Sequence, residues 1–423
     1  MKIIWAAIFV FLYWLGSYCV EYNHYAHYIQ SDGEGYYMYL PAVIMYQTFE
    51  DIPVRTHLEY KPYPNTKKIL TRFTYGVALL EAPFFLAAMG TRYLQGYTVI
   101  EPFANTYSLF ILLASCFYTT LGLYLLHKSL LRHFTPTTAW ITVGIIILGT
   151  NLLYYSIRQA GISHQYTFCL VSAVVYLLPN FYAKPTIKNT SILAFLMALI
   201  VLIRPTNLLL AIFVLLYNVT NKATFQERIA FFKQHIAKLG LIPLIGALVF
   251  APQIYYWYYL SGSPILYSYG ESTFEFFSSP KFYEIFFHLC NGFIPYTPVM
   301  LFTLIGMGMI AYKNTLNGRS ILLIFSILSY LCASWCMWWF GGTFGYRSFS
   351  DYYLLMAFGL AFYIQWLLQM RSVILKTVQF AVIAVLCFYS FRMVTFCYNF
   401  QVLPDGTDSE LFLPAVKRCF WLK

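Results

Sequence analysis

About eleven apolar runs, most of them near the ~20 residues that a helix needs to cross a bilayer, follow one another along this chain. They occupy 3–20, 104–126, 138–155, 164–182, 190–203, 206–219, 239–260, 293–312, 320–339, 350–368 and 375–396. Inside a bilayer every backbone N–H and C=O must be satisfied within the protein, which leaves helices as the economical solution for runs of this length. The expected fold is an all-α polytopic membrane protein of about 11 spans. Composition agrees, with 60% of residues hydrophobic and only 10% charged, where a soluble domain carries about 25% charge. The start, Lys2 followed by Ile3 to Leu15, has the form of a signal peptide, but apolar character continues to Val20 and an uncleaved first span is the better reading.

Charge sets the expected orientation. The short runs 190–203 and 206–219 hinge at Arg204-Pro205-Thr206-Asn207 and read as a hairpin; a single span there would invert everything downstream. With the N-terminus inside, the inner loops hold His127, Lys128, Arg132, His133, Lys184, Lys188, Lys222, Arg228, Lys233, Lys238, Lys313, Arg319, Arg371 and Lys376. The acid among them is Glu227, as the positive-inside rule asks. The segment 76–94, with Glu81 and Arg92, reads as an interfacial or re-entrant helix in polar surroundings, and 36–49 looks similar. The chain thus divides into a polytopic domain over 1–399, with a long first outer loop at 21–103, and an extramembrane tail at 400–423.

On this topology the unusual polar residues gather at one membrane face. The run Ser31-Asp32-Gly33-Glu34-Gly35-Tyr36-Tyr37 follows the first span, and Arg158 and His164 bracket the end of the third and the start of the fourth. Arg204 lies at the hinge, Tyr267 and Glu271 lie in the loop 261–292, and Tyr346-Arg347 precede a late span. An Arg at mid-membrane costs about 2.5–3.5 kcal/mol on insertion scales, unless it snorkels or lines a wet cavity. Several arginines and a histidine at the outer ends of spans point to a shared anionic ligand, and planar guanidinium forks suit phosphate. Asp32 or Glu34 is placed to act as a general base, and two close carboxylates also suit a divalent cation such as Mg or Mn. A solvated acidic turn is the plainer alternative for the same dipeptides. Most of the 39 tyrosines belong to interfacial belts and packing, with some expected to line a polar cavity.

Other chemistries are poorly supported. The formal charge is +11, but the basic residues are scattered between apolar runs rather than gathered into a nucleic-acid-binding stripe. The nine cysteines show no Cys-x-x-Cys or zinc spacing, and His24 and His27 beside Glu21 lack further ligands. There is no Gly-x-x-x-x-Gly-Lys-[Ser/Thr] loop for ATP and no Gly-x-Ser-x-Gly elbow.

The acidic motif early in the first outer loop, the surface helices in 36–94, the polar break at Arg204 and the run Gly345-Tyr346-Arg347-Ser348-Phe349 together resemble the GT-C superfamily of polytopic glycosyltransferases. That superfamily includes protein O-mannosyltransferases and the bacterial lipid A aminoarabinose transferases. The resemblance implies that Asp32 is the catalytic carboxylate, with Glu34 beside it. It also implies that Arg347, with Arg204 or Arg158, holds the phosphate of a polyprenyl-phosphate sugar donor. His164, Tyr36, Tyr37, Lys61, Tyr267, Glu271 and Tyr346 are the further substrate-binding candidates. The resemblance further implies that a lipid, glycan or protein acceptor attacks with inversion at the outer face of the membrane, and a bacterial inner membrane is the expected location. The sequence departs from the family in carrying Lys61-Pro62-Tyr63 where many members have Lys-Pro-Pro, and in having no large soluble C-terminal domain. Two rival readings are a transporter or flippase for an anionic lipid-linked glycan, and a structural subunit of a glycan-assembly complex.

Overall fold

The computed structural model describes residues 2–21, 28–52, 60–98, 101–397 and 406–420, so His24 and His27 lie outside the described residues. In chain order the helices are α1 (Lys2–Glu21), α2 (Asp32–Tyr37), then, after the strands β1 (Tyr60–Pro62) and β2 (Ile69–Thr71), α3 (Gly76–Leu94), α4 (Asn105–Leu130), α5 (Pro136–Leu148) and α6 (Leu152–Ile157). They continue as α7 (His164–Ala183), α8 (Ile187–Ile203), α9 (Leu210–Leu215), α10 (Lys222–Gln234), α11 (Ile236–Leu239), α12 (Leu241–Ser261) and α13 (Phe282–Phe287). The last are α14 (Phe293–Tyr296), α15 (Met300–Tyr312), α16 (Gly318–Ser334), α17 (Tyr353–Gln369), α18 (Val373–Arg392) and α19 (Ser409–Phe420).

Local chemistry explains many of the ends. Thr135, Thr186, Asn221 and Ser372 each cap a helix by accepting from a backbone N–H three residues on. Pro136 opens α5 at a position where its missing N–H costs nothing, and α12 stops at Gly262 in the left-handed conformation.

Among the described residues, six helical stretches are long and apolar enough to cross a membrane: Gly76–Leu94, Asn105–Leu130, His164–Ala183, Ile236–Ser261, Arg347–Gln369 and Val373–Thr395. Six shorter apolar helices accompany them. On α18, Val378, Val382, Val385 and Phe388 recur at helical spacing and remain 43–53% exposed, a strip suited to acyl chains. The stretch 76–94, expected at the interface, is one continuous helix and stands among the six long ones. The run 138–155 is broken at Gly149–Asn151, because Thr150 bonds back to the Ile146 carbonyl and the Asn151 amide bonds to the Phe344 carbonyl. The run 206–219 is a 3-10 turn, Pro205–Leu209, leading into the short α9, and 293–312 is interrupted after Tyr296 by Thr297-Pro298.

The chain forms two compact units. The first comprises Met1–Gly122, Tyr155–Leu208 and Ile236–Glu271. Its helices pack α7 on α8, α8 on α12 and α3 on α8. Close approaches rely on glycine: a Cβ at Gly76 would fall 2.6 Å from Ile203, and one at Gly122 would fall 2.7 Å from the Phe168 ring. Between α2 and α3 the strands β1 and β2 pair antiparallel, Tyr60 opposite Thr71, over a small core of Met38, Ala42, Ile52, Tyr60 and Ile69.

The second unit comprises Leu123–Tyr154, Leu209–His235 and Ser272–Lys423. Its main contact is α15 against α17, where a Cβ at Gly306 would lie 2.0 Å from the Gly359 carbonyl oxygen. The expected extramembrane tail contributes α19, whose Phe412, Ala415 and Cys419 are buried, with α19 packed on α18 and on the π-helical turn Met393–Cys397.

Candidate functional site

Asp32 opens α2, so the acidic run read as a loop is a short helix preceded by Ser31 at positive φ. Two chain segments cross here glycine on glycine. A Cβ at Gly33 would meet the Gly161 backbone at 3.2–3.3 Å, and one at Gly161 would meet the Tyr28 carbonyl at 3.0 Å. The crossing gives the two carboxylates different settings. Asp32 is half-buried. Glu34 has no exposed surface and accepts a hydrogen bond from the Tyr60 hydroxyl at 3.2 Å. Thr71 holds the same turn from below by donating to the Gly35 carbonyl at 3.0 Å.

Tyr36 lies one helical turn beyond Asp32, buried, with its ring stacked on Phe73 at 4.2 Å. Burial pushes the Tyr36 phenol well above its ordinary range, and Tyr269 and Asp32 push it the same way. Arg204 and a hydrogen bond with Ser163 draw it partly back. At neutral pH the hydroxyl is therefore a proton donor rather than a base. Asp32, Arg204 and Tyr269 thus act on this phenol electrostatically, and Ser163 acts through a hydrogen bond.

Arg204 is the first residue beyond α8, in extended conformation, with its N–H on the Ile200 carbonyl. Thr74 secures this helix end by donating to the Leu202 carbonyl at 2.6 Å, while Gly76 lets α3 close on Ile203. The Arg204 Nη1 stands 3.5 Å from Nδ1 of the buried His164, whose ring also packs on Tyr155 at 5.0 Å. Donation by the guanidinium requires the His164 tautomer with its proton on Nε2. A carboxylate, a neutral phenol, a guanidinium and an imidazole thus belong to one unit, with the guanidinium beside the imidazole. That set can accept a proton at one end and bind an anion at the other.

The remaining expected residues are dispersed. Arg158 is half-buried in the stretch between α6 and α7 that also carries Gly161 and Ser163. Tyr37 is a brace: it is buried, donates to the Pro102 carbonyl at 2.5 Å and packs against Phe85. Lys61 is exposed on β1, and Tyr267 and Glu271 are exposed. Tyr346 and Arg347 belong to the second unit. There Tyr346 is buried and Arg347, half-buried, heads the 3-10 turn Arg347–Tyr352 with its guanidinium 5.8 Å from the Phe340 ring. Asn291 donates to the Trp339 and Gly341 carbonyls and Asn151 to the Phe344 carbonyl, pinning the loop that leads to Arg347. Sequence reasoning passed over Ser163, Tyr269, Asn151 and Asn291. Ser163 was within reach, since it precedes His164 in the same polar run; the others carried no signal beyond being polar near an apolar run.

A groove of about 560 Å³ also opens in the first unit, lined by Tyr39, Val43, Tyr75, Leu79, Pro252 and Tyr256 among others. Beside its rim the Tyr259 hydroxyl donates to Glu50 at 2.5 Å and Lys68 Nζ donates to the Tyr259 carbonyl at 2.7 Å, so an apolar slot ends in charged groups. Among the described residues no three His, Cys, Asp or Glu side chains come together as a metal-ligand set.

No protein-family model matches this chain, and no curated protein matches it either. Its class rests on the fold: a mostly helical chain with one short hairpin and several helices able to cross a bilayer, consistent with a multi-pass membrane protein.

Proposed function

We propose that this protein is a membrane glycosyltransferase of the GT-C kind. It moves a sugar from a polyprenyl-phosphate donor to a lipid, glycan or protein acceptor at the outer face of a bacterial inner membrane. The observation that carries this reading is that the first unit sets Arg204 beside His164 and brings Asp32 and Arg204 within electrostatic reach of the buried Tyr36 phenol.

The chemistry follows from those groups. Asp32 accepts the proton of the acceptor hydroxyl or amine. The freed lone pair attacks the anomeric carbon from the face opposite the phosphate, and the carbon–oxygen bond to the phosphate breaks with inversion. Negative charge grows on the departing polyprenyl phosphate, where a preorganised guanidinium contributes most. Arg204, held by α8 and His164, supplies it, and Arg158 is a further cation of the same unit. Tyr36, neutral at physiological pH, donates a hydrogen bond between base and leaving group. The tyrosine-lined groove suits an isoprenoid chain, whose apolar tail would stay at membrane depth while the reacting head meets Asp32.

The test uses the full-length protein in lipid nanodiscs with a panel of radiolabelled polyprenyl-phosphate sugars. Sugar-dependent release of polyprenyl phosphate, lowered about 10²–10⁴-fold by Asp32→Asn, is the expected result. The resemblance also predicts weaker donor binding in Arg347→Gln. Donor binding without turnover, unchanged by Asp32→Asn, would instead support a transporter, and no binding to any donor would overturn the assignment.

A further inference from the structure

Glu81 sits in α3 with none of its surface exposed, although its sequence context promised polar surroundings. It faces Tyr166 of α7 instead. The Tyr166 hydroxyl is 2.9 Å from Glu81 Oε1 and 3.1 Å from the Ala160 carbonyl oxygen, and Gln165 donates to that same carbonyl. Glu81 Oε2 is buried with no hydrogen-bond partner among the described residues. A carboxyl in this setting is costly compared with an apolar side chain of similar size.

What the carboxyl holds lies one residue further on. Ala160 precedes Gly161, whose backbone crosses Gly33 at the distance where a single added methyl on either side is crowded. Gly33 separates Asp32 from Glu34. A phenol has one proton and here faces two acceptors. The Tyr166 hydroxyl lies between the Glu81 carboxyl and the Ala160 carbonyl as donor to both. An acceptor at position 81 therefore fixes where Tyr166 stands against the loop.

We propose that Glu81 is a positioning residue: through Tyr166 and the Ala160 carbonyl it holds the 160–162 backbone against Gly33 and thereby sets Asp32. The proposal rests on Asp32 being the catalytic carboxylate. It is tested on the full-length protein in nanodiscs with Glu81→Gln, Glu81→Leu, Tyr166→Phe and the Leu/Phe double variant. Glu81→Gln keeps an oxygen acceptor for the Tyr166 hydroxyl and is expected to retain turnover within about threefold. Glu81→Leu and Tyr166→Phe are expected to lower kcat about 10- to 100-fold with donor KM nearly constant, the signature of a displaced reacting group. The double variant is expected to be no slower than the slower single one, because both act through one chain of bonds. Amide hydrogen exchange supplies a readout independent of activity: 31–37 and 158–163 exchange faster in the Leu and Phe variants while 187–203 does not change. The proposal is overturned if Glu81→Gln is as slow as Glu81→Leu, if Glu81→Leu behaves as wild type, or if faster exchange spreads through α8. Should the wild-type protein transfer no sugar, the glycosyl-transfer reading fails, and the exchange pattern still decides whether Glu81 positions the loop.

Discussion

Asp32 and Glu34 are one residue apart and differ in almost every physical respect. A single glycine between them allows the difference, because the Gly161 backbone occupies the place a side chain would take. Gly33→Ala is expected to cost about 1–3 kcal/mol through overpacking and to slow sugar transfer by displacing Asp32. Thermal unfolding and kcat measured on the same preparation check both parts. Tyr36 carries a second prediction at this scale. Its hydroxyl bonds with Ser163 and feels the charges of Asp32 and Arg204, and burial keeps it protonated. Tyr36→Phe removes one hydrogen bond and leaves the ring on Phe73, so kcat is expected to fall about tenfold with an unchanged melting temperature. The acidic motif was legible in the sequence as a cluster of carboxylates. Which carboxylate keeps access to solvent was not, because the answer depends on Tyr60 and Gly161, which are 26 and 127 positions away from Glu34.

At the scale of elements, apolar runs located most helices to within a few residues, while several breaks inside them escaped. The break after Tyr296 coincides with a proline, a local cause. The break between α5 and α6 depends on Asn151, which donates to the Phe344 carbonyl at 3.2 Å and accepts from the Tyr353 hydroxyl at 2.5 Å. Both partners lie about two hundred residues along the chain, so no window of local sequence contains the reason. Asn151→Ala removes both bonds and is expected to destabilise the second unit by about 1–3 kcal/mol. It should also loosen the loop before Arg347. Faster exchange across 339–346, with the first unit unaffected, is the outcome to measure. Glycine plays the opposite part on α15 and α17, where Gly306 and Gly359 let two backbones touch and join helices rather than interrupt one.

For the whole molecule, the distribution of basic residues predicts an orientation. Cysteines introduced singly at Gln234 and Ser263, both exposed in the structure, should behave oppositely in a background depleted of native cysteines. A membrane-impermeant maleimide added to sealed, right-side-out vesicles is expected to label position 263 and spare position 234. The reverse pattern would place the Asp32 face inside and contradict transfer at the outer surface. Hydrophobic run length and the scarcity of charge were enough to determine a helical membrane protein, since the bilayer penalises each unsatisfied backbone group regardless of what surrounds the helix. Charge asymmetry likewise depends on composition alone, so an expected orientation could be read from it. The tertiary structure alone decided that Arg204 stands beside His164, that Glu34 and Tyr37 are buried and bonded to Tyr60 and the Pro102 carbonyl, and that Glu81 is buried against Tyr166. Those facts depend on which backbones approach closely enough to exclude a side chain, and such approaches join segments far apart in the chain through contacts that no local pattern encodes.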